Sequence, residues 1–258
     1  MLKIVFLVLC LIFVSRGCRV IEQRANGVTT KREDSSHLVL LEAYIVYEKN
    51  YFCSGSLISP KFVLTSAYCL FGITFVNVHV YANKLRDEFE EKRSIYRVSN
   101  SDFMLGPQFD GLQHLNDVGL IRMPDSFTAK TYIAYAQLPT TPLVVGTEIK
   151  TYGWGLLKFV DDHAASYKQE LPLRILSEVE CVEAYPNLNW SQGYQGRLCV
   201  KAISGTNCVS DFGSPFIVNN VVFGIQSAGQ SEACDGNQPN LIQDVFYHAD
   251  WIQAQIEL

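Results

Sequence analysis

The chemistry open to this chain concentrates in Cys208-Val-Ser-Asp-Phe-Gly-Ser-Pro-Phe216. A cysteine anchors the stretch, Gly213 and Pro215 bend it, and the apolar run Phe216–Val218 leads on as a strand. Ser210 and Ser214 carry hydroxyls and Asp211 a carboxylate, but Phe212 between them has no nucleophilic atom. A serine nucleophile works only with a base in hydrogen-bond reach. His79, His114 and His163 read as packed or solvated imidazoles on strand faces and loops. Metal chemistry is no better served. Asp87, Glu88, Glu90 and Glu91 are interleaved with Lys84, Arg86, Lys92 and Arg93, the pattern of a solvated charged loop. Calcium would need about six to eight oxygens in a fixed array. Asp161-Asp162-His163 offers too few ligands for a site. Neither a metal nor a cofactor is expected. Asn189-Trp190-Ser191 is an N-glycosylation sequon, beside Pro186 and Gly193 in a loop.

The elements that must position these residues are strands. Val39–Val46, Phe52–Ile58, Phe62–Cys69, Val76–Tyr81 and Ile95–Val98 are short β-branched and aromatic runs broken by turn residues. Val118–Met123, Ile149–Gly153, Leu198–Val200 and Val221–Ser227 continue the rhythm. Only Asp244–Ile256 departs from it, with Val245, His248, Ile252 and Ile256 at helical spacing. The pattern predicts an all-β barrel or sandwich closed by a C-terminal helix. Pro139 and Pro142 mark a connection between two halves near 129–143.

Lys3, the eleven-residue apolar run Ile4–Val14 and the small-residue site at Ser15-Arg16-Gly17 read as a secretory signal at 1–17. Eleven apolar residues are too few to span a bilayer. Cleavage there removes Lys3 and Arg16 and takes the net charge from −5 to −7. With no basic stripe, nucleic acid is not expected as a partner. Of eight cysteines, Cys10 leaves with the signal and seven remain. The odd one out is Cys18, free to bond another chain or to be removed by later cleavage.

From Val39 onward the chain resembles the trypsin-like serine peptidases. The resemblance rests on 53–69 (CSGSLISPKFVLTSAYC), 116–123 (NDVGLIRM), 152–155 (YGWG), 171–181 (LPLRILSEVEC), 208–215 (CVSDFGSP) and 223–229 (FGIQSAG). Six motifs in the family's order imply two six-stranded antiparallel β-barrels with a C-terminal helix. They imply a peptidase domain over 25–258, preceded by a short segment at 18–24. The resemblance also implies disulfides Cys53–Cys69, Cys181–Cys199 and Cys208–Cys234.

The family's catalytic positions fall on residues that cannot do its chemistry. The histidine position is Tyr68, the aspartate is retained as Asp117, and the serine position is Phe212. The reaction needs a hydroxyl to attack, an imidazole to take its proton and a carboxylate to orient the imidazole. Tyrosine titrates near about 10 and is a poor base at neutral pH. The first oxyanion glycine becomes Ser210, the pocket floor Thr206, and the tryptophan of the pocket wall Ala228. A Phe212 ring is expected to project into the cleft. At Arg24-Ala-Asn-Gly27 the activation segment is one residue short and lacks the Ile-Val pair that would follow the arginine. Asp211, which would pair with an inserted amine, is therefore expected to be partly solvated or bonded to backbone N–H groups.

The resemblance thus implies a secreted, extracellular serine protease homologue that binds proteins without cutting them. Its expected partners are active proteases or their substrates, and its expected role is to regulate or scaffold proteolysis. The alternative is an active endopeptidase with a non-standard catalytic site. A glycan- or lipid-binding module has no basic or amphipathic feature to support it.

Overall fold

The computed structural model describes residues 28–46, 48–128, 130–155, 167–190, 196–203, 211–228 and 238–257. The signal segment, Cys18, Arg24, Asp161–His163, Thr206, Cys208, Ser210 and Cys234 lie outside the described residues, and so does the expected Cys208–Cys234 bond.

The chain enters through β1 (Val28–Thr29) and then builds a seven-stranded antiparallel sheet. Its members are β2 (Leu38–Ile45), β3 (Glu48–Ser59), β4 (Phe62–Thr65), β5 (Phe75–Val80), β6 (Ser94–Ser99), β7 (Phe103–Leu105) and β8 (Gly119–Arg122). They pair in the order β6-β5-β2-β3-β4-β8-β7. Strand direction alternates side chains between two faces, and here both faces are apolar. Val39, Leu41, Ala43, Val63 and Ile121 point into one core, inside the curl of the sheet. Leu38, Leu40, Phe62, Leu64 and Leu120 point the other way, onto Trp154, Ile225 and Val245 from the second half of the chain. Strands buried on both faces read as near-continuous hydrophobic runs, which is why this half shows so little polar alternation.

The second sheet holds β9 (Glu148–Gly153), β10 (Gln169–Ile175), β11 (Arg197–Ala202), β12 (Pro215–Val218), β13 (Val221–Ala228) and β14 (Asn240–Asp244). Their order is β10-β11-β14-β13-β12-β9, and β9 pairs back with β10, so six strands close a barrel, with β1 added outside β10. Ile149, Leu171, Leu173, Ile175, Val200, Phe216 and Ile242 fill it.

The expected fold of two antiparallel β-barrels with a C-terminal helix is what the chain adopts, the second sheet closing on itself and the first forming a half-barrel among the described residues. Its edge strands β6 and β7 are joined by the 3-10 turn Asn100–Asp102 instead of by a ladder. That turn is fixed by the Asn100 N–H donating to the Thr74 carbonyl.

Helix is confined to α1 (Glu178–Ala184) and α2 (Ala249–Ile256) among the described α-helices. The terminal helix starts five residues later than its periodicity predicts, because Asn240–Asp244 is taken up as a strand between β11 and β13. Apolar periodicity does not announce α1. Its signal is Ser177-x-x-Glu180, which forms a full capping box. Two of the implied disulfides are present, Cys53–Cys69 and Cys181–Cys199.

Candidate functional site

Asp117, Tyr68 and Phe212 come together where the two sheets meet. Thr65 ends β4, and the chain turns through the 3-10 segment Ala67–Cys69, capped by Ser66, whose hydroxyl accepts from the Tyr68 N–H. The Cys53–Cys69 bond ties this turn back to β3. Tyr68 is thereby held at the surface, while its neighbours Ala67 and Cys69 are buried.

Asp117 lies fully buried just before β8. One carboxylate oxygen, Oδ1, accepts from the Ser66 hydroxyl at 2.6 Å and from the Tyr68 N–H at 2.8 Å. The other, Oδ2, accepts from the Ser227 hydroxyl at 2.5 Å. Burial pushes the carboxyl above its ordinary range, and the Ser227, Ser66 and Tyr68 donors, with His114 nearby, pull it back in part. Donors from β4's turn and from β13 therefore take up three of the carboxylate's roughly four acceptor sites without an imidazole.

Phe212 sits on the turn into β12. Its carbonyl accepts from the Ser54 N–H, and the turn is further fixed by Gly213 N–H to the Gln226 carbonyl and Ser214 N–H to the Asp211 carbonyl. Gly213 has φ of 79°, and a Cβ there would lie 2.1 Å from the Ser54 carbonyl oxygen, so no other residue fits. The Phe212 ring is half-buried and leans on the first core, with its centroid 5.1 Å from that of Tyr68 and a tilt of 36°. The ring is thus partly absorbed into packing, where the sequence predicts a plug projecting into the cleft. Ser214 is fully buried.

Asp211 is fully buried as well. Its Oδ2 accepts from the Trp154 N–H at 2.5 Å, with the Ser54 hydroxyl 3.4 Å away. Of the two settings expected for it, backbone bonding is realised and solvation is not. His79 is buried beside the Glu42 carboxylate at 3.0 Å and the Arg93 guanidinium. His114 lies near Asp117, and burial lowers its pKa.

The charged run is the solvated loop its composition suggests at Arg86, Glu88, Glu91 and Lys92, which are exposed, but not at Glu90 and Arg93. Glu90 turns inward and accepts from the Asn83 and Lys84 N–H groups, while Arg93 donates to the Lys84 and Asp87 carbonyls, each at 2.8 Å. Arg32 closes the ring on Glu90. A buried carboxylate and a guanidinium satisfy the backbone of this loop from within. No group of three or more His, Cys, Asp or Glu is placed to hold a metal among the described residues. Asn189 is exposed, its N–H donating to Gln113 Oε1 and its carbonyl accepting from Arg197. Ala228 ends β13 opposite Leu241.

Sequence reasoning did not find Ser66 or Ser227 as partners of Asp117. Both lie inside quoted motifs, and their hydroxyls at otherwise apolar positions are the legible signal.

The comparisons agree with this architecture. Residues 27–252 match the family model described as Trypsin. Brachyurin from Leptuca pugilator is 31% identical over 215 residues, 83% of this chain and 92% of the relative. The thrombin-like enzyme bilineobin from Agkistrodon bilineatus is 26% identical over 224 residues, 86% and 92% of the two chains. The snake venom serine protease pallabin from Gloydius halys is 27% identical over 225 residues, 85% and 82%. With the barrel architecture, these matches make the chain a member of the trypsin-like serine peptidase family.

Proposed function

We propose that this chain is a secreted, non-catalytic member of its family that acts by binding other extracellular proteins and so regulates or scaffolds proteolysis. The observation that carries the reading is the pairing of the Tyr68 and Phe212 rings beside Asp117, whose carboxylate is held by protein hydroxyl and backbone donors. An acyl transfer must begin with a lone pair on the attacking atom and a base beside it. Phe212 supplies no lone pair, and Ser214 is buried beneath the turn. Losing the serine or the histidine alone costs on the order of a million-fold in turnover in a related chemistry.

Secretion rests on the signal pattern at 1–17 and on relatives from snake venom. Among the described residues no helix is long and apolar enough to cross a membrane. The exposed Asn189 suits N-glycosylation, and Cys18 is the candidate for an intermolecular disulfide.

One observation favours the alternative of an active endopeptidase with a non-standard site: the relatives are named as enzymes and proteases. A fluorophosphonate that labels activated serines separates the two. Incubated with the mature secreted protein, it leaves the chain unlabelled on the non-catalytic reading. Stoichiometric labelling would overturn it.

A further inference from the structure

Asn189-Trp190-Ser191 carries a chemistry that the fold itself does not use. Asn189 is exposed, while its backbone is held on both sides. Its N–H donates to Gln113 Oε1 at 3.1 Å, and its carbonyl accepts from the Arg197 guanidinium at 2.6 Å. The same guanidinium donates to the Gln113 carbonyl at 3.2 Å. Arg197 is fully buried and lies 4.3 Å over the Trp190 ring, whose Nε1–H donates to the Tyr185 carbonyl. Asn189 and Gln113, 76 positions apart in sequence, are thus clamped together by one buried cation.

Gln113 adjoins a rim of exposed apolar side chains. Leu112 is 87% exposed, Phe71 65% and Tyr68 43%, and all three border one depression together with Phe109. The Phe71 and Phe109 rings meet edge to face, 5.8 Å between centroids. Asp110 Oδ1 accepts from the Leu112 and Gln113 N–H groups, which fixes the backbone of Leu112 beside the clamp. Contiguous exposed apolar surface marks either an interaction site or an aggregation liability. Here the residue fixed next to it is a sequon asparagine.

We propose that Asn189 carries an N-linked glycan whose core sugars lie over the Leu112 rim and shield it from water. The donor is a lipid-linked pyrophosphoryl oligosaccharide met in the secretory pathway, so the proposal rests on the secreted reading above. The bond between the sugar's anomeric carbon and the pyrophosphate oxygen breaks, and that carbon bonds to Asn189 Nδ2. The amide gives up one proton, and the lipid pyrophosphate leaves. Ser191 supplies the hydroxyl that the sequon requires. A hexose ring has a C–H face that packs on apolar side chains and a hydroxyl edge that stays in water. A glycan is therefore a bulky, solubilising cover for apolar surface. Leu112, next in sequence to the clamped Gln113, is the first part of the rim within its reach.

The test uses the full chain expressed in mammalian cells and recovered from the medium. Peptide-N-glycosidase, which removes N-glycans and leaves aspartate, is expected to lower its mass by one glycan, and Ser191→Ala is expected to lack that glycan from the start. Carbene footprinting then reads the rim. Labelling of Leu112 and Phe71 rises severalfold when the glycan is absent, by enzyme or by Ser191→Ala alike. Val144 and Val145, exposed outside the rim at 71% and 57%, label equally throughout. Enzymatic removal acts on protein that has already folded, so the comparison holds even where Ser191→Ala is not secreted. Equal labelling of Leu112 with and without the glycan overturns the proposal. So does protection of Leu112 that grows with the concentration of glycan-free protein, which would give the rim to a second copy. Wild-type chain retained in the cell refutes the secreted reading and the proposal together, whereas secreted chain without a glycan at Asn189 refutes the proposal alone.

Discussion

Ser66→Ala removes one hydroxyl from the fully buried Asp117 and leaves Oδ1 with the Tyr68 N–H alone. A hydrogen bond to a charged group contributes about 1.5–3 kcal/mol to stability. At about 2–4 °C per kcal/mol for a domain of this size, Tm falls by about 3–12 °C at neutral pH. The loss carries a pH signature. Burial already holds the folded carboxyl above its unfolded value, so the native state takes up its proton first as pH falls. The hydroxyl matters most to the ionised form, and its removal raises the folded pKa further. The gap between wild type and Ser66→Ala is therefore widest at neutral pH and narrows as pH drops through the folded pKa of Asp117. Thermal unfolding followed by circular dichroism from pH 8 down to pH 4 measures it. A variant that melts with wild type at neutral pH, or a gap that widens on acidification, would refute the claim that Ser66 stabilises the ionised aspartate.

Restoring the triad side chains alone is not enough: Tyr68→His with Phe212→Ser is expected to hydrolyse peptide esters feebly, because the pocket floor at Thr206 and the activation segment at 24–27 have changed too, and vigorous hydrolysis by the double variant would contradict this. His37 and His248 are held neutral in the fold, with pKa values lowered to about 4 by burial, helped at His37 by the Lys168 charge. Between about 6.5 and 4 the unfolded chain binds protons that the native state refuses, so their contribution to stability is present above pH 6.5 and is lost as pH falls. With both histidines the slope reaches about 2.7 kcal/mol per pH unit. Urea unfolding of His37→Gln with His248→Gln should show a shallower acid limb than wild type, and parallel limbs would count against the assignment.

The sequence by itself determined which runs form strands and which side chains stand at the family's catalytic positions. Short apolar runs broken by turn residues make strands, Phe212 carries no nucleophilic atom, and Tyr68 is a poor base at neutral pH. The disulfide partners were legible through the family's motifs, and Cys53–Cys69 and Cys181–Cys199 formed as expected. Element edges were less legible. Asp244 carries a helical period and yet pairs in a sheet, because the ladder with β13 is a long-range bond that no local window contains.

Tertiary structure decided where the polar groups go. Ser66 and Ser227 reach Asp117 across 51 and 110 positions, and both make sense only once two sheets are packed face to face. Arg93 and Glu90 read as surface charges until the chain folds them inward onto its own carbonyls and N–H groups. Arg197 gives no hint in sequence that it pins Gln113, 84 positions upstream. Apolar burial follows patterns a few residues long, so it can be read from the chain. A buried polar group must instead be paired wherever a partner falls in space, and only the closed fold fixes that place.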